Sequence, residues 1–161
     1  AMARAVAVLE EFGISHDVQV LSAHRTPEML EQYVASFQRR DVQVVIAAAG
    51  GAAHLAGEIA SLTTLPVIGV PMEGGSLSGL DALLSTVQMP AGVPVLTVAI
   101  GKAGATNAAL AAIAILALGR PELGRRLAAY RKRMASEVVD KNARLQELGV
   151  EQYVAKKSSH G

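Results

Sequence analysis

The chain predicts a single α/β domain built on a parallel sheet with helices on both faces. Three observations carry that prediction. First, β-type apolar runs recur at Asp17–Leu21, Val42–Ala48, Pro66–Val70 and Pro94–Ile100, each followed by a loop and a helical pattern. That alternation, with short connections, is the signature of a sheet wound with helices. Second, hydrophobic residues make up 51% of the 161 residues and aromatics only 3%. The interior must therefore be built from Ala, Val, Leu and Ile, as in buried parallel strands. Third, glycines and polar residues collect just after the runs, where open α/β sheets bind ligands outside the carboxyl ends of their strands.

Taken in order, the first run ends in Ser22-Ala23-His24-Arg25-Thr26-Pro27. Thr26 is placed to cap a helix whose first position is Pro27, because proline's missing N–H is no loss there and its φ is already helical. The second run leads into Gly50-Gly51-Ala52-Ala53-His54, and the third into Glu73-Gly74-Gly75-Ser76-Leu77-Ser78-Gly79. The fourth opens into Gly101-Lys102-Ala103-Gly104 and the greasy stretch Ala103–Leu118. That stretch falls short of the roughly 20 apolar residues a membrane span requires. Because Ala108 to Leu116 are apolar on every face, it reads as a buried helix. It lies either between its own sheet and another subunit or within the core of one subunit. From Pro121 to about Leu148, Leu123, Leu127, Tyr130, Met134, Val138, Leu145 and Leu148 recur at mostly three- and four-residue spacings, the pattern of one long amphipathic helix. Residues 149–161 form a tail, frayed from Lys156 onward, in which His160 receives no role.

Composition excludes several function classes. Fifteen basic residues against fourteen acidic give a net charge of +1, so nothing mandates nucleic acid, and the few aromatics offer no stacking platform. The basic first half of the last helix reads as a solvated face. Without cysteine there is no disulfide framework and no thiolate nucleophile. No leader-like segment is visible, so a cytoplasmic protein is expected.

The chemistry points to His24 and Arg25. Imidazole moves protons near neutral pH, and the guanidinium fork beside it suits a phosphate or carboxylate. His54 lies beyond Gly50-Gly51, where small residues let a ligand approach backbone N–H groups at a helix start. Two histidines after two strands lack a third ligand of convincing spacing, so no metal is expected. Gly74-Gly75-Ser76-Leu77-Ser78-Gly79 places Ser78 where a nucleophile elbow needs its final glycine, and Gly101-Lys102-Ala103-Gly104 is too short for a P-loop.

Ser22–Pro27, Ala49–Leu55, Leu77–Asp81, Gln88–Pro90 and Gly101–Ala108, in that order and spacing, resemble the N5-carboxyaminoimidazole ribonucleotide mutase family of purine biosynthesis. The resemblance runs from about Met2 to the C-terminal helix. It implies a three-layer, flavodoxin-like subunit in a homo-octamer, acting on a nucleotide without ATP, metal or organic cofactor. It assigns proton transfer to His24 and phosphate or substrate contact to Ser22 and Arg25. The Ala49-Gly50-Gly51 backbone and His54 match the wall holding the carboxyl group, and Ser78 and Asp81 line the same region. Arg25-Thr26-Pro27 resembles the mutase branch, whereas the branch that carboxylates directly with carbon dioxide tends to place lysine after the histidine.

This chain departs from the family pattern at several points. Family members begin with a hydrophobic strand and a Gly-Ser-x-Ser-Asp phosphate loop, but this chain opens at Ala1-Met2-Ala3-Arg4, inside the following helix. The first family strand is therefore expected to be missing, at the cost of ladder partners for its neighbours. Ala48, Ala56 and Gly74 also differ from the usual family residues. A non-catalytic nucleotide-binding or assembly subunit is the competing reading.

Overall fold

The computed structural model describes residues 1–158, so Ser159, His160 and Gly161, the end of the expected frayed tail, lie outside it. Two compact units divide the chain, one of residues 1–123 and one from residue 124 onward.

The first unit is a three-layer α/β sandwich. Strands β1 (Val45–Ala49), β2 (Val67–Pro71) and β3 (Leu96–Thr97) form a parallel sheet in the order β1-β2-β3. Val45 lies opposite Val67, and Ile68 lies opposite Leu96. Helices α1 (Ala3–Glu11) and α5 (Gly101–Ala117) cover one face, while α2 (Pro27–Ala35), α3 (Leu55–Leu62) and α4 (Leu80–Val87) cover the other. Alternation along β2 explains how it serves both layers. Val67 packs with Leu30, Val34 and Phe37 from the α2 side and with Ala56 and Ile59 of α3, whereas Ile68 and Val70 point the other way, and every residue of β2 is buried.

The all-apolar helix α5 packs on α1, β2 and β1, with Ala105, Ala108, Ala109 and Ile113 all fully shielded. One side of it is thus core within its own subunit. Its alanines allow this close approach, and Gly104 packs on the segment that leads into the helix. A Cβ there would overlap the Ala99 carbonyl, so only glycine fits.

Two expected strands need correction. Pro94–Ile100 yields a ladder only at Leu96–Thr97, extended by one bond from the Val98 N–H to the Gly69 carbonyl at 3.1 Å. Pro94 has no N–H to give, and Ala99 and Ile100 already turn into α5. Asp17–Leu21 forms no strand, and Val18 and Val20 are exposed. A ladder partner must lie about 4.8 Å away. Instead, a cavity of about 680 Å³ is lined by this segment on one side and by Val44 to Ala48 on the other. Leu9 and Ala112 line it from one helix layer, Phe37 and Ile59 from the opposite one. Among the described residues β1 pairs only with β2, so its outer edge is an open ladder. The extended run is held by side chains instead, with Asp17 accepting bonds from Arg40 at 2.7 Å and from the Tyr33 hydroxyl at 3.0 Å.

The second unit is helical. Helix α6 (Pro121–Ser158), which begins within the first unit, is interrupted at Gly149, where φ 71° and ψ 164° leave the helical region. The break falls one residue beyond the periodic stretch, and where a tail was expected a further helical stretch runs to Ser158. Met134, Val138 and Val139 are exposed. No helix among the described residues is long and apolar enough to cross a membrane.

Candidate active site

The site forms at the carboxyl end of the sheet, where the loops after β1 and β2 emerge beside the turn that leads into α2. Residues 22–26 close into a tight turn before α2. The Thr26 hydroxyl accepts the Ser22 N–H at 2.9 Å and donates to the Ser22 carbonyl at 3.1 Å, while the Ser22 hydroxyl accepts the Arg25 N–H at 3.2 Å. These bonds correct the expected cap. Thr26 stands at the N-cap position with Pro27 first in the helix, but its side chain makes no capping bond because its oxygen is committed to the turn. His24 and Arg25 are left exposed at the tip.

The second histidine comes from the next loop. β1 ends at Ala49, the chain reverses through Gly50 and Gly51, and His54 stands at the N-cap of α3. Gly51 has φ +63°, a left-handed value that glycine adopts without penalty, and the direction a Cβ would take is open space. The turn aims His54 at His24. Nε2 of His24 lies 2.9 Å from Nδ1 of His54, with ring centroids 4.9 Å apart and planes at 85°. The histidines are thirty residues apart in the chain, and the turn, β1 and α3 bring them into one hydrogen bond.

The loop after β2 borders this corner. The Met72 N–H bonds the Ala49 carbonyl at 2.9 Å, and a Cβ on Gly50 would rest 3.6 Å from Met72. Ser78 is exposed at φ 50°, and Gly79 precedes α4 with φ 91°. Asp81 lies in the first turn of α4, and its buried Oδ1 has no hydrogen-bond partner among the described residues. A buried carboxylate oxygen in that condition is an acceptor awaiting a donor. No bond among the described residues ties Ser78 or Asp81 to the histidine pair.

Glu73 received no role from the sequence. Its carboxylate packs against Gly101, so closely that a Cβ there would meet Oε1 at 2.6 Å. That puts a negative charge at the N-terminus of α5, where the helix dipole favours it. An acidic residue two positions beyond a fully buried strand, facing a helix that opens with glycine, was the available signal. The large cavity beside β1 is not this site, for neither histidine lines it. His24, Arg25, His54 and Ser78 all lie on an open surface of the subunit.

Known proteins resemble the chain over most of its length. The chain is 48% identical to the N5-carboxyaminoimidazole ribonucleotide mutase of Thermotoga maritima, over 97% of this chain and 90% of that protein. It is 51% identical to the protein of that name from Pyrococcus horikoshii, over 96% and 86%. With the Mycobacterium tuberculosis protein of that name, identity is 54% over 91% and 83%. The fold superposes on the crystal structure of Treponema denticola PurE with a TM-score of 0.80 at 25% identity, covering 89% of this chain and 88% of the other. With the AIR carboxylase family profile matching residues 1–137 besides, the chain belongs to the AIR carboxylase family.

Proposed function

We propose that the protein isomerises N5-carboxyaminoimidazole ribonucleotide to 4-carboxy-5-aminoimidazole ribonucleotide in purine biosynthesis. The observation that carries this reading is the histidine pair standing beside a Gly-Gly turn at the mouth of the sheet, in a chain about half identical to proteins of that name.

In this mechanism the carbamate N–C bond breaks, carbon dioxide is released beside the Gly-Gly turn, and the exocyclic nitrogen takes a proton from His24. The electron-rich ring carbon then attacks carbon dioxide through a new C–C bond, and His24 recovers the ring proton. The net proton change is zero, so one side chain suffices as acid and then base. The Ala49-Gly50-Gly51 backbone and His54 wall the carboxyl group. Arg25 supplies a fork for the phosphate, and Ser22, Ser78 and the orphan oxygen of Asp81 supply polar contacts to the nucleotide. No cofactor enters the scheme.

Carbon dioxide must not escape during the exchange, and water must stay out. The exposure of the site in one subunit therefore favours closure by neighbours, and a homo-octamer in the cytoplasm is part of the proposal. Leu80, Leu84 and Val87 form an exposed apolar stripe on α4, and Leu77 beside it is also exposed, which suits such packing.

The test uses substrate carrying carbon-13 in its carboxyl group, without ATP or added bicarbonate. Labelled 4-carboxy product supports the mutase. Product formed only from aminoimidazole ribonucleotide plus bicarbonate would instead establish direct carboxylation.

A further inference from the structure

We propose that His54 is a positioning residue, whose Nδ1 accepts a hydrogen bond from Nε2–H of His24 and so makes Nδ1 of His24 the nitrogen that moves the proton. This deepens the function proposed above, since it rests on His24 as the proton carrier.

A bond between two neutral imidazoles needs one N–H and one lone pair, and the 2.9 Å contact joins Nε2 of His24 to Nδ1 of His54. Two arrangements satisfy it. If His54 donated from Nδ1, the lone pair of His24 would lie inside the bond and its Nδ1 would already carry a hydrogen. His24 could then gain a proton only by breaking the pair. If His24 donates from Nε2, its Nδ1 carries the free lone pair. Taking a proton there gives an imidazolium that still donates to His54, so the ring passes through both states of an acid–base cycle without moving. Only the second arrangement suits a residue that must protonate nitrogen and then deprotonate carbon from one position.

His54 is also well placed to hold its end. Its backbone is fixed at the start of α3, where its N–H reaches the Ala52 carbonyl at 2.9 Å and its carbonyl receives the Glu58 N–H at 2.9 Å. The edge-to-face arrangement of the rings leaves the outer nitrogen of each free of the other. This is the logic by which an orienting partner fixes a catalytic histidine's tautomer.

The experiment is nitrogen-15 NMR of the full chain labelled at histidine, without ligand at neutral pH, combined with kinetics of His54→Phe and His54→Asn. Phenylalanine keeps the ring's shape and removes the acceptor; asparagine keeps a polar atom near the Nδ1 position. The proposal predicts His24 with hydrogen on Nε2 and a bare Nδ1, with a coupling across the bond to Nδ1 of His54. In His54→Phe that fixed tautomer is lost and kcat falls by about 10–100-fold, the range for removing the partner that orients a metal-bound histidine, while KM, which the carboxyl contact of His54 also sets, rises by less than kcat falls. His54→Asn recovers most of the loss. His24 found with hydrogen on Nδ1, or a His54→Phe variant that changes KM alone, would overturn the proposal. The wild-type spectrum decides the pairing even if His54→Phe does not fold. Absence of mutase turnover in the wild type would refute the parent reading while leaving the spectrum to judge the pair.

Discussion

The two glycines after β1 make a matched pair of perturbations with opposite structural consequences. At Gly50 the backbone is ordinary, and an added methyl would rest 3.6 Å from the Met72 side chain and carbonyl, a normal van der Waals contact. Gly50→Ala therefore stabilises by about 0.4–1 kcal/mol, because alanine reduces the freedom of the unfolded chain. At Gly51 φ is +63° and the methyl meets nothing within 4 Å. Left-handed backbone costs alanine about 1–2 kcal/mol, partly offset by the same entropy term, for a net loss of about 1 kcal/mol. In a chain of this length that lowers Tm by about 2–4 °C. The functional consequences also diverge. The methyl at Gly50 turns toward Met72, whereas the methyl at Gly51 projects into the open space where the proposed carboxyl group meets the backbone. Gly51→Ala should lower kcat/KM at least about tenfold, equivalent to about 1.4 kcal/mol of transition-state binding, and Gly50→Ala should change it little. Thermal denaturation and the carboxyl-transfer assay read the two quantities separately. Equal activity losses in both variants, or full activity in Gly51→Ala, would refute the reasoning.

Other perturbations test the frame that holds the site. Gly104→Ala forces a methyl into the Ala99 carbonyl and should destabilise by about 3 kcal/mol or more, since backbone cannot yield as a side chain can; a Tm within 2 °C of wild type, as a flag of about half a kcal/mol, would contradict that packing. Ile113→Ala removes a fully buried side chain from α5 and should cost about 2–5 kcal/mol in denaturant unfolding, with a smaller loss showing that α5 is not core. The Arg40 guanidinium, with Gln19 and Tyr33, holds the Asp17 carboxyl at about 2 instead of its ordinary 3.8. A depressed carboxylate adds stability above its unfolded value, and that addition disappears as pH falls through about 2. Carboxyl NMR titration should show the low midpoint in wild type and its return toward 3.8 in Arg40→Met, whereas an unchanged midpoint would exclude the ion pair as its cause.

Much of this architecture was legible because local pattern and burial agree. Val67–Pro71 is apolar throughout, and it is the strand buried on both faces. Gly149 follows the last residue of the periodic stretch ending at Leu148, and the helix breaks there. The failures have a common origin in partners that a linear pattern does not display. Asp17–Leu21 has β-type composition, yet a strand exists only with a neighbour at ladder distance, and a cavity borders it instead. Thr26 has the right identity for a cap, but its hydroxyl satisfies Ser22, a competition set by turn geometry. At the site, sequence identified His24 and His54 as separate candidates; their direct hydrogen bond depends on how the turn and the start of α3 converge. Glu73 was overlooked because its place against Gly101 arises where the loop after β2 meets the start of α5.

The central claim is that His24 carries the proton in the shift of a carboxyl group from nitrogen to carbon. Its most direct test is turnover of N5-carboxyaminoimidazole ribonucleotide by wild type and His24→Asn, with substrate affinity measured alongside by calorimetry. The account predicts turnover in the wild type, and in His24→Asn a fall in kcat of at least about 10²-fold, the low end for losing a general acid–base group, with affinity retained within about 3-fold. A His24→Asn variant that turns over at the wild-type rate would contradict it.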